Sequence, residues 1–168
     1  MYQVGECIVY GSTGVCKVTD ITEKPNLGTY YVLKPLYENG TIYTPAENPK
    51  VFMRRVISRK EAEHLIDTIP DVQPQPNHTK NLQELREHYR AVTNTHNCAD
   101  LIGLTVSIHA KKKDQERLGC KLGQVDEKFM KQAEDTLFGE FAIALGIPKE
   151  QVPGYISNRI ETLQAANA

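Results

Sequence analysis

Pro70-Asp71-Val72-Gln73-Pro74-Gln75-Pro76-Asn77 divides this sequence in two. Three prolines in seven residues fix φ and remove backbone donors, so the stretch reads as a semi-rigid extended connector. Just before it, Ser58 and Glu61 stand three apart at the head of Arg59-Lys60-Glu61-Ala62-Glu63-His64-Leu65-Ile66. That spacing is a capping box and predicts a helix that ends before Pro70.

Upstream the pattern is that of strands. Cys7–Tyr10, Val15–Thr22 and Thr29–Tyr37 are short runs rich in β-formers, bounded by turn residues. Gly11-Ser12-Thr13-Gly14 and Pro25-Asn26-Leu27-Gly28 read as turns, and Asn39-Gly40 predicts a two-residue hairpin into Thr41-Ile42-Tyr43 because both turn positions favour positive φ. Gly11–Gly14 lacks the GxxxxGK[ST] spacing and following helix of a phosphate loop. Four or five short antiparallel strands are expected to close as a small barrel, since closure limits exposed edges.

Downstream the period becomes helical. Leu82, Leu85, Tyr89 and Val92 form one apolar stripe, and Leu101, Leu104, Thr105 and Ile108 the next. Asn81 with Glu84, and Asn97 with Asp100, have the form of N-caps followed by an acidic residue. Val125, Phe129, Ala133, Leu137, Phe141 and Ala144 predict a longer helix stopped by Gly146. Pro148 or Pro153 can open a last one carrying Ile156, Ile160 and Leu163, either as part of the bundle or as a tail.

The 168 residues are 40 % hydrophobic and 24 % charged, a globular composition for one ordinary domain or two small ones. No apolar run approaches a membrane span, and Met1–Gly14 lack the basic start and apolar core of a signal peptide, so a cytoplasmic location is expected. A net charge of -1 means that any nucleic-acid contact must come from a local patch.

Cys7, Cys16, Cys98 and Cys120 include no CxxC pair, and His64, His78, His88 and His109 form no HExxH pattern, so neither a metal nor a cofactor is expected. Cys7 and Cys16 fall in strand-like runs as small hydrophobes. A nucleophile at Cys98 served by His96 or His109 is the one enzymatic reading, and no base-and-orienter set supports it. The expectation is a non-enzyme without a small-molecule substrate.

Taken in order, these pieces resemble the CarD/CdnL family of bacterial transcription regulators, whose N-terminal module is similar to the RNA-polymerase-interacting domain of transcription-repair coupling factor. The resemblance rests on Val4-Gly5-Glu6-Cys7-Ile8-Val9-Tyr10, Gly14-Val15, Tyr30-Tyr31-Val32-Leu33, Pro45-Ala46-Glu47-Asn48 and Arg54-Arg55-Val56-Ile57-Ser58 with Lys60-Glu61. In the helical half, Ala110-Lys111-Lys112-Lys113-Asp114 and Phe129-Met130-Lys131-Gln132-Ala133 fall where the family has a basic RRD-like run and an R-x-ML-x-x-A helix. Gly11 stands where the family usually has proline, Met53 where it has leucine, and the chain has no tryptophan.

The resemblance implies an α+β, two-domain chain: a small antiparallel Tudor-like β-barrel over residues 1–57 that interacts with RNA polymerase, a helix and proline-rich linker over 58–80, and an all-α helical DNA-binding bundle over 81–168. It also implies docking on the polymerase β subunit and weak, non-specific contact with promoter DNA that modulates open-complex stability, with nucleoid association through the polymerase. By spacing, the family's polymerase-contacting positions fall on Lys24 and Tyr43. Without the resemblance, Lys24 reads as a solvated turn residue and Tyr43 as an amphipathic strand residue. The family's tryptophan wedge falls on Leu82, which can act as an apolar wedge or pack in the core with Leu85, and the stripe favours the core. Lys111, Lys112, Lys113, Arg117 and Lys121 form the sharpest cationic cluster, and Arg86 and Arg90 can extend it from the preceding helix. On charge alone, the cluster reads as a solvated run. The alternative function is an adaptor that binds polymerase and uses the helical half for another protein.

Overall fold

The computed structural model describes residues 1–167 and is α+β, with an antiparallel five-stranded sheet followed by five α-helices. Its backbone contacts divide it into two compact units, residues 1–58 and the chain from Arg59 onward.

The strands are β1 (Cys7–Tyr10), β2 (Gly14–Lys24), β3 (Gly28–Pro35), β4 (Ile42–Pro45) and β5 (Met53–Arg55), in the order β4-β3-β2-β1-β5. The expected barrel therefore does not close, and β4 and β5 remain as edges. Only β2 and β3 are long, at 11 and 8 residues, whereas β4 and β5 span 4 and 3. Keeping edge strands short is another way to limit edge-to-edge pairing. Leu33 pairs with Ile42, so residues 36–41 form a longer loop in place of the two-residue hairpin expected at Asn39-Gly40. Gly40 has φ +123°, but Asn39 does not turn positive, as a primed hairpin turn would require.

Ile8, Cys16, Val18, Tyr31 and Leu33 make the core of this unit. Cys16 and Val18 point inward on β2, and strict alternation would send Lys24 inward too. A bulge intervenes: Val18 pairs with Leu33 and Asp20 with Val32, leaving Thr19 as the extra residue. The Thr19 hydroxyl donates to the Val32 carbonyl at 3.2 Å. The shifted phase sets Ile21 opposite buried Tyr31 and turns Thr22 and Lys24 to the outer face.

The helices are α1 (Arg59–Thr68), α2 (Leu82–Thr93), α3 (Cys98–Arg117), α4 (Gln124–Leu145) and α5 (Val152–Ala166). Asn81 and Asn97 cap α2 and α3, each side chain accepting from two backbone N–H groups. Gly146, with φ +69°, ends α4. Pro153 lies in the first turn of α5.

By backbone contacts, α1 and the proline segment group with the helices that follow, in the unit that begins at Arg59. Helix α1 packs on α4 and α5, and Arg159 of α5 donates to both carboxylate oxygens of Asp67 at 2.6 and 2.9 Å. Val152–Ala166 thus add a helix to the bundle. The proline segment lies along α2 and α3: Gln75 N donates to Ser107 Oγ at 3.0 Å, and Gln73, Gln75 and Asn77 line a groove with both helices. An extended chain has no internal partners for its N–H groups, and Ser107 satisfies one of them. No helix among the described residues is long and apolar enough to cross a membrane.

Candidate functional site

On the N-terminal unit, the outer face of β2, β3 and β4 gathers Lys24, Tyr30 and Tyr43. Lys24 pairs with Gly28 across a turn in which Leu27 N donates to Lys24 O at 3.0 Å and Asn26 has φ +62°. Tyr43 lies opposite Val32 on β4, on the same outer face as Tyr30. The Lys24 ammonium sits 4.5 Å from the Tyr30 ring centre and 4.9 Å from that of Tyr43. Such exposed cation–π contacts contribute about 0.5–1 kcal/mol each. Lys24 is therefore not a freely solvated turn residue, and the two residues singled out in the sequence touch one another. Tyr30 is the partner that the sequence reading missed, although its place in a Tyr-Tyr pair on a strand marks one ring for each face. Tyr43 is 57 % exposed on the edge strand beside them.

Tyr31 points the other way, its hydroxyl accepting from Tyr2 N at 3.0 Å. Near the opposite edge, Arg55 Nε donates to Glu6 Oε1 at 2.7 Å while its guanidinium lies 5.3 Å from the Tyr2 ring centre. The Gln3 N–H, and then Arg55, hold the Glu6 carboxyl below its ordinary range. Burial pushes the Cys16 thiol up to about 11, so it remains a protonated core side chain.

In the helical unit, Leu82, Arg86 and Arg90 recur every fourth residue along one strip of α2, beside the buried pair Leu85 and Tyr89. Leu82 is 51 % exposed, which overturns the core packing favoured from the stripe. The cap at Asn81 makes Leu82 the first helical residue, and burial on α2 begins at Leu85. Arg90 is exposed and Arg86 half-buried.

Lys111 is withdrawn from the cationic cluster. It is buried, and its ammonium lies 3.0 Å from each carboxylate oxygen of Asp126 in the first turn of α4. Tyr89 of α2 donates its hydroxyl to the same carboxylate. Burial, and then the Asp126 hydrogen bond and charge, push the Tyr89 phenol far above its ordinary range. The signal was legible: Lys111 continues the spacing of Leu101, Leu104 and Ile108, and Asp126 opens the next helix. Lys112, Lys113, Arg117 and Lys121 remain exposed, with Arg117 NH1 3.8 Å from Asp114.

The thiol of Cys98 is buried and donates to Glu140 Oε1 at 3.2 Å, while His109 Nε2 lies 3.0 Å from Glu134 Oε1. Both side chains thus face carboxylates on α4.

No curated protein matches the chain. Residues 2–57, the segment that folds as the five-stranded sheet, match the family model of the CarD-like/TRCF RID domain. The N-terminal unit is therefore a CarD-like, RNA-polymerase-interacting domain.

Proposed function

We propose that this chain is a non-enzymatic transcription regulator that docks on the β subunit of RNA polymerase through its N-terminal unit and contacts upstream promoter DNA with its helical unit. The observation that carries the proposal is the match of residues 2–57 to an RNA-polymerase-interacting domain. Lys24, held against Tyr30 and Tyr43 beside the edge strand β4, supplies the kind of surface such docking uses. An edge strand offers main-chain pairing, and the clamped side chains give specificity. A rigid aromatic platform also loses little side-chain entropy on binding.

Leu82, Arg86, Arg90, Lys112, Lys113, Arg117 and Lys121 are the DNA-contacting residues of this proposal. Lysines and arginines on phosphates release counterions and give salt-sensitive, sequence-independent affinity. So few contacts bind weakly alone, but docking on polymerase raises the local concentration of DNA without any new contact. Preference for opened over closed promoter DNA then shifts the population toward the open complex.

The test is capture of the β subunit's N-terminal lobe by the full chain, repeated with Lys24→Glu. Retention by the native chain and loss in the variant support the docking face; no capture by the folded native chain overturns the proposal. The adaptor reading is favoured by a pocket of about 230 Å³ in the helical unit, lined by Ile102, Val106, Leu137, Phe138, Phe141 and Ile156. Salt-dependent binding to forked promoter DNA in the presence of polymerase decides for the first reading, and its absence for the second.

A further inference from the structure

Among the described residues of the helical unit, Leu82 and Leu118 are the large apolar side chains left exposed, at 51 % and 79 %. Their positions along the chain are far apart, but the fold brings them to one end. Helices α2 and α3 are joined by residues 94–97, and a connection that short makes them antiparallel. Tyr89 and Lys111 meet on the Asp126 carboxylate and are therefore level with each other. Leu82 lies seven residues before Tyr89 and Leu118 seven after Lys111, so both stand roughly 10 Å beyond that level in the same direction. The contact of His78 Nε2 with Asp114 at 3.6 Å sets the entry to α2 beside the last turns of α3 in the same way.

Leu118 sits on an ordered turn. Its N–H donates to Gln115 O at 3.0 Å, Cys120 N returns to the same carbonyl at 2.8 Å, and Leu122 is buried. The backbone is held at both sides while the leucine projects out. Arg117 and Lys121 flank it, and Lys113 lies one turn behind Arg117 on the same face. The acids of this stretch are Asp114, which faces Arg117 and His78, and Glu116.

We infer that Leu118 is a second apolar insertion residue, entering a base step of DNA while Arg117 and Lys121 hold the adjoining phosphates; this rests on the DNA-contact reading of the helical unit. A single exposed apolar side chain between Arg117 and Lys121 in the chain matches a polyanion whose stacked apolar interior opens at a kinked or unpaired step. An anionic membrane requires a continuous apolar helix face, and on α2 and α3 those faces are buried within the unit.

The test uses the full chain at low salt with a duplex that opens into an unpaired segment and carries 2-aminopurine at the junction. Protein is added up to about 1 mM, the range needed for non-specific contacts. The native chain is expected to raise the 2-aminopurine fluorescence as the base unstacks. Leu118→Ala should cut that rise about threefold or more at saturation while leaving the salt slope of binding unchanged, and Leu118→Trp should restore it. Arg117→Ala should instead lower the salt slope. An undiminished rise in Leu118→Ala, with DNA binding intact, overturns the insertion role and leaves the DNA-contact reading standing. No DNA binding by the native chain overturns both. Capture by phosphatidylserine vesicles that Leu118→Ala abolishes, without a fluorescence rise on DNA, assigns Leu118 to a membrane surface and overturns the inference.

Discussion

Lys111 and Asp126 form an ion pair inside the helical unit, with the ammonium 3.0 Å from each carboxylate oxygen and the two side chains only 5 % and 4 % exposed. Tyr89 donates to the same carboxylate, so α2, α3 and α4 share one buried charge site. Removing one member of such a pair typically costs about 3–5 kcal/mol, because the other is left charged and unpartnered. Lys111→Met and Asp126→Leu are each expected to lower unfolding free energy by about that much in urea titrations. The double variant should recover part of the loss, because it removes both charges but leaves the buried Tyr89 hydroxyl without its acceptor. Lys112→Ala, one residue away but exposed, should stay within about 0.5 kcal/mol of the native chain.

Lys24 and Tyr43 should be energetically coupled before any partner binds. A double-mutant cycle with Lys24→Ala and Tyr43→Ala is expected to give a coupling of about 0.5–1 kcal/mol in unfolding free energy. A coupling indistinguishable from zero would mean that the ammonium is not held by the rings in solution.

Gly11 takes φ +45°, and a Cβ placed on it would lie 2.7 Å from Val51 Cγ1. Gly11→Ala therefore meets both a left-handed backbone and an overpacked contact, and is expected to destabilise the N-terminal unit by about 2 kcal/mol or more. Gly11→Pro, the residue usual in the resembling family, requires φ near about −65° and should be no better tolerated. Urea midpoints of the two variants check this directly.

Asp67 has its carboxyl held below the ordinary aspartate range, first by the hydrogen bonds from Arg159. A carboxyl with a lower pKa folded than unfolded stabilises fully above its unfolded value of about 3.9, and that contribution is lost as pH falls through the folded value. Asp67→Asn is therefore expected to be less stable than the native chain at neutral pH. The difference should shrink as pH drops below about 4, since the native chain then loses the same interaction. Urea titrations from neutral to acidic pH, read on helical circular dichroism, measure it.

Much of the local structure was legible in the residue order. Asn81 and Asn97 cap the helices they were expected to cap, Gly146 stops the long helix, and the turns at Gly11–Gly14 and Pro25–Gly28 separate the first three strands. Each of these depends on hydrogen bonds and φ preferences spanning a few residues, so the necessary partners are already adjacent in the sequence. The family of the N-terminal unit was legible for a related reason, because its motifs lie within a run of 56 residues and keep their order.

What only the tertiary structure decided concerns which side chains face out. Lys111 and Lys112 are neighbours in one basic run, yet Asp126, fifteen positions away, draws the first into the interior and leaves the second in solvent. Lys24 reaches the outer face because the bulge at Thr19 shifts the phase of β2, a register set by pairing with Val32 and Leu33. The proline segment, extended by its own φ restriction, lies along the helices where Ser107 and Asp114, distant in sequence, offer it partners. Local sequence thus sets the type and ends of each element, whereas the orientation of its charges depends on where distant partners come to lie.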